Sequence, residues 1–141
     1  MKKSAFTFIE LIIVLAIISI VLGITTLKFS IIDTIGSRNE IHTFFDDYSY
    51  VREFSLSSGT TNRIYFTDQG YTISGTVNKV RILKHIKSLN EGKIEFSPTG
   101  YVGPDKTKQG FNLVFVSKKD SNIKWDFTIQ AVGGYLSEKN K

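Results

Sequence analysis

Few residues in this 141-residue chain could do chemistry. There is no cysteine, so thiolate nucleophiles, disulfides and cysteine-ligated metals are excluded. The two histidines, His42 and His85, are far apart in sequence, and neither has a second ligand at metal-binding spacing. No G-x-S-x-G elbow, H-E-x-x-H helix or phosphate-cradling glycine loop occurs, and Gly100, Gly103 and Gly110 are spaced as loop punctuation. Asp105, in Gly103-Pro104-Asp105-Lys106, lacks the neighbouring oxygen ligands that a calcium loop requires, and lysines follow it at 106 and 108. The expectation is a non-enzyme without metal or cofactor. One carboxylate stands apart, because Glu10 lies inside the apolar run FTFIELIIVLAIISIVLGITTLK. An ion there must be neutralised, drawn to the interface or paired with an opposite charge. The chemistry available at Glu10 is electrostatic.

The element that positions Glu10 is the apolar run itself. From Phe6 to Leu27 it spans about 22 residues, roughly 33 Å as an α-helix, which is the thickness of a bilayer's hydrocarbon core. Lys2 and Lys3 precede it, and the positive-inside rule holds this short leader in the cytoplasm and translocates the rest; Lys28, a single charge at the far end, does not outvote them. A secretory signal would have a shorter apolar core followed by a small-x-small cleavage site, and Gly23-Ile24-Thr25-Thr26-Leu27-Lys28 is a poor one.

The series Ala5, Phe6, Thr7, Phe8, Ile9, Glu10, followed by an unbroken apolar helix, resembles the class III signal of type IV prepilins and pseudopilins. That resemblance implies cleavage between Ala5 and Phe6 by a membrane-embedded prepilin peptidase, with N-methylation of Phe6. The family most often has Gly before the cut, where this chain has Ala5. The resemblance also makes Glu10 the fifth mature residue, which faces the N-terminal ammonium of a neighbouring subunit and sets filament register. The implied partners are other pilin or pseudopilin subunits, the prepilin peptidase, the membrane and an inner-membrane assembly platform. The implied location is the cytoplasmic membrane, single-pass with the head extracytoplasmic, and then a cell-surface or periplasmic filament.

Four segments follow: a leader at 1–5, a transmembrane and filament-core helix at 6–28, an amphipathic continuation at 29–58, and a β head at 59–141. In the continuation, Ile41, Phe44, Phe45, Tyr48 and Val51 recur at spacings of three and four, while Asp46, Asp47, Arg52 and Glu53 take the intervening, wet positions. Gly36 marks a bend, and Gly59 caps the end. Strands are expected at 63–67, 71–75, 80–86, 94–96, 111–116 and 125–129. Asp68-Gln69-Gly70 is expected as a hairpin loop in which Gly supplies positive φ. The fold class is α+β and pilin-like, a long N-terminal helix packed on a C-terminal antiparallel β-sheet. The tyrosines at 48, 50, 65, 71 and 101, with Trp125, read as core and rim of that sheet rather than base-stacking platforms.

Ile94-Glu95-Phe96, Gly100, the alternation at 111–116, and Phe127-Thr128-Ile129 before Gly133-Gly134-Tyr135-Leu136 resemble the ending of H-type pseudopilins and related minor pilins, the GspH/FimT group; a competence (ComG) type is the other candidate. Some DNA-binding members of that group carry arginines after the terminal glycine, where this chain has Tyr135, Leu136 and Ser137. Formal charge is +5, and Lys118, Lys119 and Lys124 gather at one hairpin, a basis for weak, salt-sensitive contact with DNA. The reading is a minor structural pseudopilin of a filament used in competence or type II secretion. The alternative is a membrane-anchored extracytoplasmic binding domain that never assembles.

Overall fold

The structure is a computed structural model that describes residues 7–104 and 110–139, without the side chains of 24–32. The leader, Ala5 and Phe6 at the expected cut, Asp105, Lys106, Lys108 and Lys141 lie outside the described residues. Among the described residues one helix, α1 (Phe8–Ser58), is followed by nine strands. By its internal contacts the chain divides into two units, Met1–Ile35 and Gly36–Lys141.

In the second unit the strands form two antiparallel sheets where a single sheet was expected. The first has β1 (Asn62–Thr67), β2 (Gly70–Ser74), β3 (Lys79–Ile82), β5 (Lys93–Phe96) and β6 (Val102–Gly103), in the order β3-β2-β1-β5-β6. The second has β4 (Ile86–Ser88), β7 (Phe111–Ser117), β8 (Lys124–Ile129) and β9 (Leu136–Glu138), in the order β4-β7-β8-β9. Phe44 of α1 explains how one helix serves both. Its fully buried ring meets Tyr71 of β2 edge-on at 5.3 Å and Phe115 of β7 at 5.0 Å. Ile41, Tyr48 and Val51 of the same stripe are buried with it, and Ile64, Ile73, Ile94, Phe96, Leu113, Phe127 and Ile129 supply the sheet side. Fully burying side chains of this size contributes about 1.5–3 kcal/mol each, which is how a head without disulfides holds together.

The run expected as one strand over 80–86 is two strands in different sheets. Glu40 of α1 causes the split, because its carboxylate accepts the backbone N–H of Lys84 (2.7 Å), His85 (3.0 Å) and Ile86 (3.1 Å). Those donors are thereby satisfied without a neighbouring strand. Lys118 Nζ donates to the Leu83 carbonyl at 2.6 Å and secures the same corner.

Three glycines act through space or conformation. Gly59 follows the last helical residue with φ +67°, the left-handed cap expected there. Gly36 is helical like its neighbours, and its missing side chain admits the His85 ring, which an added Cβ would approach to 2.6 Å. Gly70 has no positive φ; it is the first residue of β2, and a Cβ there would strike the Arg81 carbonyl at 1.9 Å.

Candidate assembly segment

The first turn of α1 is closed by its own side chains. Glu10 accepts hydrogen bonds from the Thr7 backbone N–H at 2.7 Å and the Thr7 hydroxyl at 2.9 Å, while the Glu10 N–H reaches Thr7 Oγ1 at 3.4 Å. This is a capping box, with Thr7 as N-cap and Glu10 at the third helical position, and it holds the carboxylate at the positive end of the helix dipole. The T-x-x-E spacing before an apolar run was the available sequence signal for it.

From Leu11 to Leu22 the helix is apolar apart from Ser19, whose hydroxyl donates to the Leu15 carbonyl at 2.8 Å. Twelve large hydrophobic side chains between Phe8 and Leu22 are exposed, from 44% at Val14 to 78% at Phe8. A helix hydrophobic all round has to be buried, in lipid or among other helices. Among the described residues no helix is long and apolar enough to cross a membrane. The expected span from Phe6 to Leu27 starts outside those residues and ends among side chains outside them.

In the head, Asp47 departs from its expected wet position. Its side chain is 8% exposed and accepts hydrogen bonds from Tyr71 Oη (2.9 Å), Lys79 Nζ (2.7 Å) and Arg81 Nε (2.8 Å). Burial pushes the Asp47 carboxyl up, but the hydrogen bonds from Arg81, Lys79 and Tyr71, with the Arg81 charge, outweigh it and hold the group below the ordinary carboxylate range. The Tyr71 phenol is pushed up by burial first and then by its bond to Asp47. β3 therefore aims Lys79 and Arg81 at α1 and leaves Val80 and Ile82 exposed. Asp47 sits three residues after Phe44 and four before Val51, so its place on the buried stripe was legible in the spacing.

Arg52, also expected to be wet, is half-buried and clamps the turn before β9. Gly133 and Gly134 both have positive φ; Arg52 Nε donates to the Gly133 carbonyl, and Tyr48 Oη donates to that of Gly134 at 2.9 Å. The Arg52 guanidinium lies 4.6 Å over the Tyr135 ring. The lysines at the last hairpin, Lys118, Lys119 and Lys124, are all exposed, and Lys118 Nζ also donates to the Leu83 carbonyl. His42 is exposed, while His85 is half-buried beside Gly36. Tyr48 and Tyr71 are core residues, Trp125 packs partly buried against the core, and Tyr50, Tyr65 and Tyr101 are exposed.

The helix and antiparallel sheets make a pilin-like α+β arrangement. Residues 1–26 match a family described as the prokaryotic N-terminal methylation motif, the class III signal found in type IV pilins and pseudopilins. A signal of this kind goes with prepilin peptidase, membrane anchoring and association with pilin subunits. No curated protein and no solved structure matched the chain.

Proposed function

We propose that this protein is a minor, non-catalytic subunit of a type IV pilus-like filament, serving DNA uptake in competence or type II protein secretion. The observation that carries the reading is a methylation-motif helix whose one ionisable side chain among the described residues from Phe8 to Leu22 is Glu10, with its carboxylate gathered at the N-terminal end. The prepilin peptidase cuts between Ala5 and Phe6 on the cytoplasmic side, and the single-pass subunit waits in the cytoplasmic membrane with its head outside. In the filament, Glu10 turns to the Phe6 ammonium of a neighbour, because two opposite charges in a low-dielectric medium are tolerated as a pair. An assembly platform then draws the subunit from the membrane.

Intact mass of the membrane-extracted protein tests the cut. Loss of residues 1–5 is expected in cells with active prepilin peptidase, and their retention would favour the anchored domain that never assembles. Glu10 is tested by two substitutions compared at equal membrane level and equal processing. Glu10→Gln keeps the capping box and removes the charge, whereas Glu10→Val removes both. Either leaves the partner's amine unpaired, at about 3–5 kcal/mol where burial is complete. Both are expected to be depleted from sheared filaments. Normal incorporation of Glu10→Gln would mean that Glu10 serves as a helix cap, and the ion-pair mechanism would be wrong.

A further inference from the structure

The head carries a groove that the assembly segment does not use. Arg38, His42, Phe45 and Arg52 recur at helical spacing along one stripe of α1. They face β8 and β9 across two adjoining cavities of about 330 and 310 Å³, which share Phe45, Phe127 and Glu138 as walls. The floor is aromatic, with Phe45 and Phe127 in edge-on contact at 4.8 Å. Alongside lies an open main-chain edge. β9 is the last strand of its sheet and pairs only with β8 among the described residues.

The charges around the groove are unbalanced toward the positive. Arg52 is partly spent on the Gly133 carbonyl and the Tyr135 ring. The Arg38 side chain has no hydrogen bond or ion pair among the described residues, and Glu138, in the same cavity, lies beyond ion-pair distance of it. An arginine fork without a partner among the described residues, next to a strand edge and an aromatic floor, suits a carboxylate presented by an extended chain.

We propose that this groove binds an extended acidic segment of a partner protein, which adds a strand to β9 and sets a carboxylate against Arg38. Strand side chains alternate, so one set of alternate residues meets the floor and helix while the main chain fills the β9 edge. A helical partner has already satisfied its own main chain and would leave that edge bare. The site does not depend on cleavage or on Glu10, so its failure and that of the filament reading are separable.

The test uses the full chain in detergent micelles and three fluorescein-labelled nonapeptides in which one set of alternate residues, the groove-facing set, is Val with a single Glu, Ser or Lys among them, and the other set is Thr. The Glu peptide is expected to bind at least tenfold more tightly than the Ser peptide, and the Lys peptide least. Arg38→Glu, an exposed change that should keep the wild-type unfolding temperature, is expected to invert the order of the Glu and Lys peptides. Hydrogen exchange at the β9 amides should slow when the Glu peptide is bound. The proposal is overturned by a Glu peptide that binds no better than Ser, by a preference that survives Arg38→Glu, or by binding that leaves β9 exchange unchanged.

Discussion

At the scale of the residue, Asp47 shows how a buried charge is kept. Three donors on two strands converge on one carboxylate of the helix, so removing the charge leaves those donors aimed at a weaker acceptor. Lys79 and Arg81 are partly exposed and can turn to water, which limits the loss. Asp47→Asn is expected to cost about 1–3 kcal/mol in denaturant unfolding at pH 7. The pH dependence has a definite sign. The folded carboxyl titrates below its unfolded value, so its contribution is complete above the unfolded pKa, about 4, and is lost as pH falls through the folded one. Wild type should therefore lose stability on the acid side faster than Asp47→Asn, and the gap between them should be narrower at pH 3 than at pH 7. An equal gap at both would mean that the carboxylate's charge is not what holds β3 to the helix.

At the scale of the element, α1 is shaped by what it must admit as much as by what it buries. Ala is favoured over Gly inside a helix by about 1 kcal/mol, yet Gly36 leaves room that the His85 imidazole fills. Gly36→Ala gains the propensity term and loses at least as much to displacing a ring, so the net is expected to be destabilising by about 1 kcal/mol. In a His85→Ala background the obstacle is gone, and the same change should stabilise by about 1 kcal/mol. A double-mutant cycle by denaturant unfolding checks that reversal of sign, and additivity would remove the ring as the reason for glycine. Helix, hydrophobic stripe and most strands were legible because periodicity reports which face is buried, and Phe44, Tyr48 and Val51 are buried as their spacing requires. The break inside 80–86 was not. A Glu40 carboxylate some 45 residues earlier in the chain receives the three amides there, and no local pattern announces a partner at that distance. The reason for Gly70 was hidden likewise, because the carbonyl it avoids belongs to the next strand.

At the scale of the whole molecule, charge decides what the chain attracts beyond specific partners. Formal charge is +5, and two of the positive residues, Lys2 and Lys3, belong to the leader. What remains is scattered lysine and four arginines, and Lys118, one of the three lysines gathered at the last hairpin, bonds the Leu83 carbonyl through Nζ. Lys119 and Lys124 are exposed there. Two phosphate contacts imply that log K falls with log salt at a slope of about 2, far too little charge release to sustain binding at physiological ionic strength. Duplex DNA should thus bind the detergent-solubilised protein weakly at low salt and be released as salt rises. Lys119→Glu with Lys124→Glu should flatten the slope toward zero, and Lys118→Ala should change it little while loosening the corner at Leu83. Anisotropy titrations over a salt series separate these outcomes. Affinity that persists at physiological salt, or a slope of about 4 or more, would require a phosphate-binding surface elsewhere on the molecule, and these lysines would then not be the ones that carry it.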